Sequence, residues 1–206
     1  MRTIKPLNCL CVLLLAQILT GCAFTKDYIG LNYPVRGSRD KVAGAEGVKV
    51  EVKVTDQREA RDIVGRKING WGSETAGIVS TNDVVELVRG AIGAELEMRG
   101  FPRGEGVVVS VELNKFYNRF ITGFFAGDSI ANIVMNVQIK AKDGAVLFSK
   151  NVAAEGLEAN IQIAAGHNAK ASLEQALSKG VTQLFDDAAF VPALLKAAGQ
   201  PVANKP

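Results

Sequence analysis

The chain has 206 residues, with 24 Lys+Arg, 21 Asp+Glu and a single His. A formal net charge of +3 is too small to argue for nucleic acid or for an anionic lipid surface.

Arg2 and Lys5 precede an apolar run from Leu10 to Leu19 that is broken by Gln17. As a helix those ten residues cover roughly 15 Å, half of a hydrocarbon core of about 30 Å. Met1–Gly21 therefore reads as a secretory signal peptide and not as a membrane span. It ends in Leu19-Thr20-Gly21-Cys22, which resembles the lipobox of bacterial lipoproteins. The expected processing is a diacylglyceryl group on the Cys22 thiol, cleavage after Gly21 and acylation of the new amino group. Each buried CH₂ contributes about 0.8 kcal/mol, so one chain anchors marginally and several anchor stably. Ala23, not an aspartate, follows the cysteine. By the sorting rule of enteric lipoproteins this resembles outer-membrane cargo, with the periplasmic side as the default.

Cys9 and Cys11 leave with the signal peptide, so the mature chain relies on core burial and not on a disulfide. A His/Cys metal centre needs three or four ligands, and a mature chain left with His167 and a lipidated Cys22 cannot supply them. It keeps 22 basic against 21 acidic residues and suits one domain of roughly 150 residues. The expected organisation is a signal peptide over 1–21 and a lipidated N-terminus and tether over 22–47. A single domain over 48–198 follows, then a disordered tail over 199–206.

Along the chain, Tyr28–Val35 is a candidate edge strand, because Pro34 suits an edge. Arg36–Gly47 reads as a flexible linker. Val48–Val54 alternates strictly and is the clearest half-buried strand. Thr55–Ser80 reads as one long, glycine-punctuated loop, a length that is often functional or mobile. A helix is expected over Asn82–Arg99, with Val84, Val85, Val88, Ala91, Ile92 and Leu96 buried and Gly100 as its stop. Val107–Tyr117, Ile130–Ala141 and Val146–Glu158 alternate as three antiparallel strands, the last two joined at Asp143-Gly144. Asn168–Asp187 is a second amphipathic helix with Leu173, Ala176, Leu177, Gly180, Val181, Leu184 and Phe185 on one face. A short helical turn follows at Pro192–Ala198. The order β-α-β-β-β-α predicts an α+β two-layer sandwich. Its sheet would be mostly antiparallel, of about four to five strands, with two main helices on one face.

Four features together resemble the YajG family of proteobacterial lipoproteins. They are the lipobox, Asp56-Gln57-Arg58 at a strand end, Met98-Arg99-Gly100-Phe101 at a helix end, and Glu155-Gly156 before the last helix. The resemblance covers about Val48 to Leu195. It implies a membrane-anchored periplasmic lipoprotein and supplies no catalytic residues.

The residues themselves supply none either. His167 stands alone before the last helix and reads as a loop or cap residue. No Gly-x-Ser-x-Gly elbow, phosphate loop or dinucleotide fingerprint is present. Glu155 and Glu158 sit at i and i+3 of a strand, so they point to opposite faces. Asp56 is placed to cap loop amides. The candidate contact residues are Trp71, between two glycines, and Phe124 and Phe125, at an apolar hairpin tip. Trp71 reads equally as a partner anchor or as a plug over the sheet edge. The tip either folds back on the sheet or meets lipid or protein.

The function these readings favour is a non-enzymatic binding or assembly-accessory module of the envelope. It would be anchored to the outer membrane through Cys22 and face the periplasm. No cofactor or nucleic acid is expected; the partners are the membrane and an envelope protein or lipid. The alternative is a lipid- or glycolipid-handling module, and behind it an envelope hydrolase.

Overall fold

The computed structural model describes residues 24–35, 37–123, 126–162 and 165–200. Cys22, Phe124, Phe125 and the tail from Pro201 lie outside the described residues.

Seven strands form one mixed sheet. They are β1 (Asp27–Ile29), β2 (Val50–Asp56), β3 (Gly65–Ile68), β4 (Glu74–Ser80), β5 (Val107–Thr122), β6 (Gly127–Lys140) and β7 (Val146–Ile161). Three helices accompany them: α1 (Val84–Met98), α2 (Gly166–Phe185) and α3 (Phe190–Ala197). The α+β layering matches the expectation. The sheet is larger than four to five strands, and beside its long antiparallel ladders it holds three parallel pairings, β1 with β4 and both β2 and β3 with β5.

The long ribbon β5–β6–β7 is antiparallel throughout, as the alternation predicted. Val109, Val111, Leu113, Ile133, Met135 and Val137 are all fully or nearly fully buried on the helix side. A bulge between Leu113 and Lys115 shifts the inward residues of β5 from odd to even, so Phe116, Asn118 and Phe120 face in. α2 lies over this ribbon with Leu173, Ala176, Leu177, Val181 and Leu184 at 0% exposure, the stripe read from its 3.6-residue period.

Two corrections concern the N-terminal half. The segment 55–80 is not one loop, because it holds the β3–β4 hairpin. β2 and β3 lie end to end on one edge of β5. The first runs parallel to Val107–Leu113 and the second parallel to Asn118–Ile121. Gly65 permits this, since a Cβ there would stand 2.6 Å from the Asn118 carbonyl. β3 was hidden in the sequence because it is four residues long and carries Arg66 and Lys67. Lys67 is nonetheless buried, with its Nζ 2.9 Å from Asp27 Oδ2 and 3.1 Å from the Thr25 carbonyl.

The second correction is the expected linker. Residues 31–35 and 37–45 belong to a strap pinned across α1. The Asn82 side chain accepts from the Leu31 amide and donates to the Leu31 carbonyl. The Val42 amide donates to the Arg99 carbonyl, and Ala45 is fully buried. Only β1, Asp27–Ile29, of the candidate edge strand forms, parallel to β4.

Candidate functional site: an edge-strand groove

β2 follows from its sequence: three alternating valines, Val50, Val52 and Val54, turn an apolar face to the core and leave Glu51 and Lys53 outside, paired at 3.2 Å. Its backbone groups divide between two neighbours. The Lys49 carbonyl accepts from the Val107 amide, and the Gln57 amide donates to the Leu113 carbonyl. Odd-numbered residues therefore turn their peptide groups towards β5. Val50, Val52 and Val54 turn theirs to the outer edge. The groups of Val50 are taken: its amide donates to Pro102 at 2.9 Å, and its carbonyl accepts from Gly104 at 3.2 Å. Beyond that, among the described residues, no strand pairs with the outer edge of β2.

Beside this open edge runs a groove of about 250 Å³ between β2 and α1. Its floor is Val50, Val52, Gly93, Leu96 and Phe101, and Arg89 and Arg103 form its rim. Both arginines are exposed and bonded to acids of α1, Arg89 to Glu86 and Arg103 to Glu97. Gly93 of α1 lets the Arg103 guanidinium lie against the helix at one side of the groove. A Cβ on Gly93 would meet the Arg103 guanidinium at 3.3 Å. Capping fixes where the helix begins: the Asp83 carboxylate accepts from the Val85 and Glu86 amides. An apolar trough beside unpaired edge amides suits an extended polypeptide, which can add main-chain hydrogen bonds and insert alternate side chains.

Two ionic clusters brace the frame around the groove. Glu95 of α1, 2% exposed, accepts from the Tyr33 hydroxyl at 2.9 Å and from Arg39 Nε at 3.2 Å, and it is bonded to Arg99. Burial alone would raise its carboxyl, but the Arg99 and Tyr33 hydrogen bonds outweigh that and hold it below the usual range. Burial and then the Glu95 hydrogen bond push the Tyr33 phenol well above its ordinary value. The Arg99 guanidinium also lies 4.2 Å from the Phe185 ring centre, which joins the strap, α1 and α2. At the end of β2, Asp56 accepts from the Arg58 amide at 3.0 Å and from its Nε and Nη2, each at 2.9 Å. The Arg58 side-chain hydrogen bonds hold Asp56 below the usual carboxylate range. This is the amide-capping role expected of Asp56, and it forces the chain to leave β5 before rejoining it as β3.

A third polar cluster looks chemical but is structural. Asn118 Nδ2 donates to Ser129 Oγ at 2.7 Å and to Ser172 Oγ at 2.8 Å, all three residues being fully buried. The two serine oxygens lie 3.0 Å apart, and Ser172 Oγ also donates to the Ala169 carbonyl at 3.1 Å. The cluster fixes α2 on the sheet at the point where Gly156 lets the Ser172 carbonyl approach the strand.

Of the other candidates, Trp71 is 90% exposed at the tip of the β3–β4 hairpin, so it is not a plug over the sheet edge. His167 is exposed in the first turn of α2. Glu155 is exposed and Glu158 half-buried on opposite faces of β7. No group of His, Cys, Asp and Glu among the described residues could hold a metal ion, and no described helix is long and apolar enough to cross a membrane. Sequence reasoning missed the groove. Its signal was present in Gly93 within a helix and in the alternating β2, but nothing local says that the two lie side by side.

No curated protein matches the chain. A solved structure described only as that of an uncharacterized protein has a TM-score of 0.49 with it. Identity is 11%, covering 77% of this chain and 95% of the other. The family described as "uncharacterized lipoprotein", of the YajG type, matches residues 38–194, which include β2, α1 and the whole groove, and the chain belongs to that family.

Proposed function

We propose that this lipoprotein is a non-enzymatic binding module of the cell envelope. It is held to the periplasmic face of the outer membrane by lipid on Cys22, and it captures an extended segment of an envelope protein along the open edge of β2. The observation that carries this reading is the pair of outward-facing peptide groups at Val52 and Val54 beside the apolar floor of the groove. Membership of a lipoprotein family supports the anchored placement, and the lipobox at Cys22 supports the means.

The fit is to a strand and not to a lipid held between the layers. α2 lies so close to β7 that a Cβ on Gly156 would come within 1.9 Å of the Ser172 carbonyl. Mixed charges on the outer strand, Lys49, Glu51 and Lys53, keep such an edge from pairing with copies of itself.

The test uses a photo-crosslinking side chain at Arg89 or Arg103 in intact envelopes, compared with the same probe at Glu112 on the uncovered sheet face. A discrete adduct from the groove positions, lost when Gly93→Leu fills the trough, is the expected result. Equal adducts from all three positions, or adducts that survive Gly93→Leu, would sink the strand-capture reading. Cys22→Ser is expected to abolish lipid labelling; label still entering that variant would remove the anchor.

A further inference from the structure

The structure points to which end of the molecule meets the membrane: we infer that the β3–β4 hairpin tip, with Trp71 at its apex, rests in the lipid interface beside the anchor. The inference rests on the Cys22 anchor and goes beyond it.

The chain leaves the described structure at this end. Thr25 is tied to the β3–β4 hairpin, because its carbonyl accepts from Lys67 Nζ at 3.1 Å while Lys67 also pairs with Asp27. Cys22 stands three residues upstream of Thr25, a reach of about 10 Å even when fully extended. The anchored cysteine therefore cannot stray far from the hairpin that holds Lys67. The β5–β6 hairpin closes at the same end: Ile68 pairs beside Ile121, and a Cβ on Gly70 would lie 3.7 Å from the Thr122 carbonyl. Phe24, the first described residue, is 67% exposed here.

The tip is built to hold its tryptophan outward. Asn69 Oδ1 accepts from the Trp71 amide at 3.1 Å and from the Ser73 amide at 2.9 Å. The Gly72 amide donates to the Asn69 carbonyl at 2.9 Å, and the Asn69 amide to the Ser73 carbonyl at 2.9 Å. Gly72 completes the turn at φ 81°, a left-handed conformation that favours glycine. A turn fixed by four hydrogen bonds thus presents an indole that is 90% exposed. An indole with an apolar body and a polar N–H is the side chain suited to the boundary between headgroups and acyl chains. The opposite end, at the β6–β7 turn before Val146, is separated from this tip by the length of β6, roughly 45 Å for its 14 residues. The β2 groove lies towards that far end, since Val52 pairs with Val109, thirteen residues of β5 from Thr122. Docking by the tip thus holds the groove out in the periplasm.

Trp71 is the sole tryptophan, so its own fluorescence reports its position. The acylated chain is reconstituted on vesicles of phosphatidylethanolamine and phosphatidylglycerol, and flotation verifies the anchor separately. The expected result is a shift of Trp71 emission to shorter wavelength, protection from aqueous acrylamide, and quenching by a shallow spin-labelled lipid more than by a deep one. A double variant, Trp71→Phe with Val146→Trp, moves the reporter to the far end and is expected to stay fully open to acrylamide. Protein that floats while Trp71 remains as open to acrylamide as in the soluble Cys22→Ser form overturns the docking. Equal lipid quenching of both reporters overturns the orientation. Failure to float overturns the anchor and the docking with it.

Discussion

Two of the sheet's three edge strands, β7 and β2, are covered by different means. At β7 the helix layer reaches over the edge. Gln175 of α2 accepts from the Leu157 amide at 2.7 Å, and Lys179 donates to the Glu155 carbonyl at 3.0 Å. Lys150, from the strand itself, reaches back to the Gln183 carbonyl and to Asp187. At β2 only the groups of Val50 are met, by the turn at Pro102–Gly104, and a groove lies between the strand and α1. An exposed edge strand is a template for pairing, and proteins usually blunt it. Here side chains of α2 reach the middle of one edge strand, whereas a backbone turn meets only the first residue of the other. The difference is one of means: a helix laid over β7, and a turn set at the start of β2.

That contrast can be broken or sharpened in order of effect. The largest concerns the helix that guards β7. Leu184 is fully buried, so Leu184→Ala is expected to cost on the order of 2–5 kcal/mol in chemical denaturation. Gln183→Ala, exposed one residue away, should cost under about 0.5 kcal/mol. Equal midpoints for the two variants would show that α2 does not cover the sheet by this face.

Next is acid sensitivity of the frame behind the groove. Glu95 and Asp56 both have carboxyls held below their ordinary values in the folded protein. A depressed folded pKa stabilises the protein above the unfolded value, and that stability is lost as pH falls through the folded one. Stability is thus expected to decline as pH drops below the usual carboxylate range. Glu95→Gln should be less stable at neutral pH and show a shallower decline in acid. An unchanged slope across that range would remove Glu95 as a contributor.

A smaller effect is expected at the blunted edge. Gln175→Ala leaves the Leu157 amide without its acceptor, at a cost of about 0.5–1.5 kcal/mol. Amide hydrogen exchange at Leu157 should accelerate, whereas Val52 and Val54 should already exchange fast in the free protein and slow down with partner bound. Slow exchange at Val52 and Val54 in the free protein would show that their edge is covered.

The smallest effect on stability is expected from Val52→Pro. The Val52 amide faces outward, so proline removes no ladder bond to β5, and edge positions tolerate it. Folding should be nearly unchanged while groove crosslinks disappear. Retained crosslinks would argue that main-chain pairing is not the mode of binding.

Legibility followed the range of the interactions. The faces of β5, β6 and β7 and the stripe of α2 were readable because residues i and i+2, or i and i+3/i+4, share an environment set by local geometry. β3 was not readable, since four residues with two cations look like loop until Asp27 and the Thr25 carbonyl are brought to Lys67. The strap was unreadable for the same reason. Arg39 and Tyr33 acquire meaning only when Glu95, more than fifty residues away, is placed between them.

The sequence by itself determined the lipobox, the amphipathic periods and therefore the two-layer α+β class, because each depends on neighbours along the chain. Only the tertiary structure decided that β2 and β3 share one edge of β5, that a groove lies between β2 and α1, and that the hairpin carrying Trp71 is tied to Thr25. These depend on which distant segments satisfy one another's backbone groups, and no local pattern encodes that choice.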